Sequence, residues 1–275
     1  KVEHFVKVGL AVAEKGKQTW NRLRALDMAW NCGRYNPAEG WGKTLMEKME
    51  EFCREGDKAL AQRAVRRVGE TFLEFVRYAS VGERIMGKGT KELERCLLAA
   101  LSHREKDVRL DALSFFAQKE PRSGMDRLVF SSRVIEEAEE EIWEWREGIR
   151  YSEDVLKRLR ELTKQKDGSF RGLAGEALAI GGTDEDVKAV IGMLKDKDED
   201  VVGAVASGLR KGGRKEAGEA LLEALGRVEG TDAKSEIVRA LAEIGYEDAS
   251  GAICKMLERG VSGRLWTECV RAVGM

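Results

Sequence analysis

Apolar residues in the stretch 151–275 recur at three- and four-residue intervals, and glycines cut the runs at a near-constant distance. Ala177–Gly181, Gly208–Gly212, Leu241–Gly245 and Val270–Gly274 share one frame, 31, 33 and 29 residues apart. Between these marks the spacing is helical: Val201, Val205 and Leu209; Ile237, Val238, Leu241 and Ile244; Trp266, Val270 and Val273. Alternation, the mark of a strand, is absent there. A period of this length with helical spacing inside it predicts stacked helical hairpins, each hiding its apolar face against its neighbours. The pairs fall at 152–164 with 168–181, 183–195 with 198–212, 214–227 with 231–245, and 247–259 with 261–274. Thr183 and Asp186 are spaced as a capping box, and Asp200 and Asp232 as first-turn acids that favour a helix N-terminus.

The first half follows the same grammar less strictly. Pairs at 2–15 with 17–33, 39–55 with 57–80, and 89–103 with 106–119 are expected, with longer loops at Tyr35–Gly42 and Ser80–Gly89. Residues 121–150 break the rhythm. Pro121 stops a helix, and 136–147 is strongly acidic around Trp143 and Trp145. The reading is one continuous array: degenerate repeats over 1–120, an atypical acidic connecting repeat over 121–150, and regular repeats over 151–275. The last segment ends on a second-helix glycine with no polar capping repeat, as a docked end or a chain cut from something longer would.

Composition supports an all-helical chain: 35% charged, 43% hydrophobic, and only 2 Pro among 275 residues, with many strong helix formers. The net charge of −1 hides a gradient, since residues 1–110 carry 22 Lys+Arg against 16 Asp+Glu. That mild excess admits an acidic partner. Five Cys without a C-x-x-C pair read as reduced thiols of a cytoplasmic protein, and no apolar run is long enough for a membrane partner. Asn and Gln together number 7, a scarcity common in thermophiles.

The phrase Phe170–Val201 resembles the HEAT-like repeat family, in the short variety first noticed in phycobilin lyases. An apolar residue precedes Arg171; Ala174, Ala177, Leu178, Ile180 and Gly181 follow, then an acidic turn, and Asp196 and Asp198 lead into the next copy. Asp107, Val108, Arg109, Ala112 and Leu113 match the core of the same phrase. The resemblance implies a right-handed α-α superhelix of the armadillo type, about seven to eight hairpins long, whose second helices line a concave face. It leaves function open: members resembling it include scaffolds, bilin-attaching enzymes, metal-dependent hydroxylases and DNA-alkylation-repair glycosylases.

Enzyme chemistry finds little foothold. The family's hydroxylases hold two irons on His-Glu dipeptides, whereas the two histidines here, His4 and His103, are not followed by Glu; neither metal nor cofactor is expected. His103 reads as a helix-end cap. Gly82–Thr90 and Gly42–Thr44 look like fragments of a phosphate loop, but no strand precedes either, so both read as turns before helices. Nothing places a base beside a Ser or Cys nucleophile.

Binding is better supported. On the helix over 57–80, Arg63, Arg66, Arg67, Glu70, Glu74 and Arg77 form a polar stripe opposite Ala61, Ala64, Val65, Val68, Phe72 and Val76. Arg63, Arg67 and Arg77 are expected on the concave face, with Arg24, Arg109 and Arg210 on flanking second helices. The expected function is a non-enzymatic scaffold gripping a protein or peptide there. The alternative is nucleic-acid binding, in which Trp20, Asp27 and Trp30 make the base site of a glycosylase-like protein. Trp20, Leu23 and Trp30 are spaced as core residues too. A bilin-lyase role comes third.

Overall fold

The computed structural model describes residues 2–33, 42–77, 83–118, 150–261 and 263–274, except for the side chains of 74–77 and 83–89. The loop Tyr35–Trp41, the acidic segment 136–147 and the Arg77 side chain therefore lie outside the described residues. Every regular element among those described is a helix. Two compact units emerge, Lys1–Ala138 and Glu139–Met275.

In the first unit the helices are α1 (Val2–Lys15), α2 (Thr19–Cys32), α3 (Lys43–Glu55), α4 (Lys58–Arg77), α5 (Glu83–Ala100) and α6 (Lys106–Phe116). They pair as three hairpins. First helices α1, α3 and α5 stack in one layer, and second helices α2, α4 and α6 in another. The apolar stripe of α4 explains why: Ala61, Ala64, Val65, Val68 and Phe72 are fully or almost fully buried, while Gln62, Arg63, Arg66 and Arg67 stay half-buried on the opposite side. Asp57 starts that helix by accepting the Leu60 N–H at 3.2 Å. Gly69 lets α6 come close, because a Cβ there would lie 2.2 to 2.3 Å from three atoms of the Phe115 ring.

Two expectations change in this unit. The stretch Ser80–Gly89, expected as a loop, is helical from Glu83 onward, so its glycines and Lys88 form no phosphate-cradling turn. Helix formers Glu83, Arg84, Ile85 and Met86 outweigh the two glycines that follow. His103 does cap a helix, but from inside the protein. It is buried, its Nδ1 accepts the Glu105 N–H at 3.0 Å, and its Nε2 lies 2.9 Å from the Gly56 carbonyl. An accepting Nδ1 fixes the neutral tautomer with Nε2 protonated, so Nε2 donates to Gly56 and ties two hairpin turns together.

The second unit contains α7 (Glu153–Leu162), α8 (Gly168–Gly181), α9 (Asp184–Gly192), α10 (Glu199–Lys211), α11 (Gly218–Arg227), α12 (Thr231–Glu243), α13 (Ser250–Glu258) and α14 (Gly263–Gly274). Short 3-10 turns at Met193–Lys195, Lys215–Ala217 and Glu247–Ala249 replace part of the longer first helices expected. The second helices α8, α10, α12 and α14 stack in order. Gly208 lets α10 approach α8 closely: a Cβ there would sit 2.6 Å from the Glu176 Cα.

The capping box is present, with the Thr183 side chain accepting the Asp186 N–H and Asp186 returning to the Thr183 N–H. Arg171 does more than mark the repeat. Its Nε and Nη2 grip both Asp196 oxygens at 2.9 and 3.1 Å, and Nη1 donates to the carbonyls of Gln165 and Lys166. Asp198 then caps α10 through the Asp200 N–H. One correction concerns α14. Its core face is Leu265, Glu268 and Cys269, and the expected stripe Trp266, Val270 and Val273 is exposed. This helix packs mainly on α12 and α13, which cover one stripe and not the other.

Candidate functional site

The proposed contact residues and their neighbours form three groups. Arg109 and Arg210 are absorbed by the architecture. Arg109 donates to the carbonyls of His103 at 2.6 Å and Arg104 at 2.8 Å, bracing its own hairpin turn as Arg171 does. Arg210 is buried and pairs with Glu243 of the next second helix at 2.8 Å. Both were expected on a contact face. Tight stacking turns one into the turn and closes the other between helices. Lys211 behaves similarly, reaching the buried Glu176 carboxylate at 2.9 Å beside Ser207.

The second group is a cluster between α2 and α4. Asp27, 19% exposed, accepts from Arg67 Nε at 2.8 Å and faces Arg63 Nη2 at 3.4 Å. Its hydrogen bond, followed in effect by opposing burial, holds the Arg67 guanidinium above its usual range, and Glu70 adds a contact at 3.3 Å. The aromatics expected around Asp27 divide. Trp30 is buried at 7% exposure, in the core, whereas Trp20 is 62% exposed. Arg24, one turn after Trp20, places its Cζ 5.2 Å from the indole centroid. This cation–π pair stands on the surface of α2, where such contacts are worth about 0.5–1 kcal/mol. Asp27, Trp20 and Trp30 therefore do not converge on one base-sized site.

The third group was not foreseen as a site. A cleft of about 280 Å³ opens where α2, α4 and α6 meet, lined by Leu23, Ala59, Gln62, Arg63, Arg66, Asp111 and Phe115. The Gln62 amide donates to Asp111 Oδ2 at 3.0 Å. Burial pushes the Asp111 carboxyl above the usual carboxylate range, although Gln62 and Arg66 act in the other direction. Asp111 was not among the expected contact residues. Phe115, one helical turn later and fully buried, supplies an aromatic neighbour at the cleft wall. In the structure Lys58 pairs with Asp107, and Gln62 with Asp111, both 49 residues apart. That common offset is the register of α4 on α6.

Among the described residues no three His, Cys, Asp or Glu side chains gather as a metal site, and no helix is long and apolar enough to cross a membrane. The arrangement offers guanidinium donors, one desolvated carboxylate and apolar walls, which is recognition chemistry.

No family model matches the chain, and no curated protein sequence matches it. Solved structures that resemble it loosely include two that align over most of its length. An engineered protein aligns with a TM-score of 0.44 and 17% identity over 89% of this chain and 96% of that one. Human deoxyhypusine hydroxylase in complex with glycerol aligns with a TM-score of 0.38 and 16% identity, over 99% and 96%. Neither likeness is close enough to carry a conclusion about activity.

Proposed function

We propose that the chain is a HEAT-like repeat scaffold, without an enzymatic role, that binds a protein or peptide on the second-helix layer of its first unit. The observation that supports this best is the exposed Trp20–Arg24 pair on α2. Leu23, between them in sequence, is a wall of the cleft. Trp and Arg dominate the energetics of protein interfaces because they offer large, stiff contact area with a polar handle. Stacked hairpins present such a surface with little ordering left to do on binding. The five cysteines are free thiols, which suits a reducing cytoplasm.

Nucleic acid is the second reading, favoured by the row Arg63, Arg66 and Arg67. Asp27 and Glu70 weigh against it, since they neutralise part of the charge that phosphate contacts need. The experiment compares proteins captured from the source organism by the wild-type chain and by the Trp20→Ala/Arg24→Glu variant. Helix content and thermal unfolding should be nearly unchanged, because neither side chain is part of the core. A defined partner should be lost by about tenfold or more, the scale of one interface hot spot. Equal capture by both forms would overturn the reading. Sub-micromolar, steeply salt-dependent binding of duplex or single-stranded DNA would replace it with the second one.

A further inference from the structure

We infer that the cleft between α4 and α6 is a socket for a carboxamide side chain, glutamine or asparagine, presented by the partner peptide. This rests on the peptide-binding reading and deepens it.

Size comes first. At about 280 Å³ the cleft falls just below the roughly 300–1,000 Å³ of pockets that hold whole small molecules. There is room in it for one side chain. Leu23, Ala59 and Phe115 supply apolar walls for the methylenes, and the polar groups sit among them rather than outside.

Chemistry then selects the tip. Arg63 and Arg66 offer only donors, and an ionised Asp111 offers only acceptors. A guest must therefore present an acceptor and a donor close together. A carboxylate would satisfy the guanidinium side and be repelled by Asp111. An ammonium would do the reverse, facing two arginines. A carboxamide answers both at once, its oxygen toward the guanidinium groups and its N–H toward Asp111.

The groups are placed to answer. The Asp111 carboxylate accepts one hydrogen bond, from Gln62, out of about four that a carboxylate can take. Its partial desolvation, seen in the upward push on its carboxyl, makes a new donor more valuable than it would be in water. Arg63 is loosely tied: its one ion pair, to Asp27, is 3.4 Å long, and its buried Nε has no hydrogen-bond acceptor. Turning toward a guest gives up little.

The test uses fluorescent pools of short peptides, randomised except for one fixed residue: Gln, Asn, Glu, Lys or Met. Binding to the full chain is read by anisotropy. The Gln or Asn pool should bind about tenfold more tightly than the Glu and Lys pools, the scale of leaving one buried polar group unanswered. Asp111→Asn keeps the shape and removes the charge that repels a carboxylate, so the Gln-over-Glu preference should shrink severalfold. Equal binding of all pools, as backbone recognition would give, overturns the socket while leaving peptide binding in place. So does a preference that Asp111→Asn leaves intact. No binding by any pool would remove both readings, and a single-stranded oligonucleotide bound more tightly than every pool would make this a base site instead.

Discussion

Gly69→Ala tests whether the close contact between α4 and α6 holds the cleft in shape. An alanine there should gain about 1 kcal/mol of helix propensity over glycine. Against that, its Cβ would lie 2.2 to 2.3 Å from Cγ, Cδ2 and Cε2 of Phe115, where carbon contacts need roughly 3.5–4.0 Å. The ring must retreat by more than an ångström, and its surroundings resist. Phe115 is fully buried, and its neighbour Phe116 packs edge-on against Phe72 at 5.7 Å. Overpacking of this kind costs about 1–3 kcal/mol, and here the upper part of that range applies because the Cγ is among the clashing atoms. The net expectation is a loss of about 1–2 kcal/mol. Urea unfolding followed by circular dichroism measures it, with hydrogen exchange on α4 and α6 assigning the loss to this unit. In the Phe115→Ala background, which removes the clashing Cγ with the ring, the same glycine change should be neutral or stabilising, up to about 1 kcal/mol. An equal cost in both backgrounds, or a stabilised single variant, would refute the contact.

Two further outcomes concern the second unit. Arg171→Lys should cost about 1–3 kcal/mol in urea unfolding, because a single ammonium cannot reproduce the two-pronged grip on Asp196 together with two carbonyl bonds; an unchanged midpoint would show that Arg171 is not a brace. Acid should loosen the same unit. The Arg160 hydrogen bond, helped by Thr183 against burial, holds the Asp186 carboxyl below its ordinary 3.8; for Asp196 burial pushes upward, and Arg171 with the Asp198 N–H outweighs it. Both folded values lie below the unfolded one, so their stabilisation is complete above about pH 5 and is lost as pH falls through those depressed values. Unfolding midpoints across pH 2–6 should fall more steeply for the wild type than for Asp186→Asn.

The repeat was legible because glycine and apolar residues recur in one frame, and because Thr183, Asp186 and Arg171 do locally what their types suggest. The failures have a common physical origin. Trp266, Val270 and Val273 form as regular a helical stripe as Leu265 and Cys269. Periodicity alone does not say which of two adjacent stripes the covering helices will bury. Trp20 and Trp30 differ likewise: both are spaced as core residues, and only the second is buried. Charged residues misled in the opposite direction. Arg109 and Arg210 look like surface side chains until turn carbonyls and the next helix meet them. Asp111 and Phe115 became neighbours of Gln62 and Arg66 only through the register of α6 on α4, which no local pattern carries.

That register also separates the two units in kind. In the second, charges of the second-helix layer close on one another: Lys211 on Glu176 and Arg210 on Glu243 between successive helices, with Arg239 joining Glu243 from its own helix. Such pairs fix the stacking and have little left to offer a partner, since the Glu176 and Glu243 carboxylates that they hold are buried or nearly so. In the first unit the same layer keeps a carboxylate, Asp111, that is partly desolvated and lightly bonded, beside Arg63 and Arg66 at the wall of an open cleft. A neutral or apolar residue at 111 would serve packing at least as well, because an ionised carboxyl whose folded pKa is raised weakens the fold at neutral pH. Natural chains tolerate such local conflicts mainly where a site needs them. The conflict at Asp111 therefore argues for recognition at this cleft, and the closed pairs of the second unit argue for structure there.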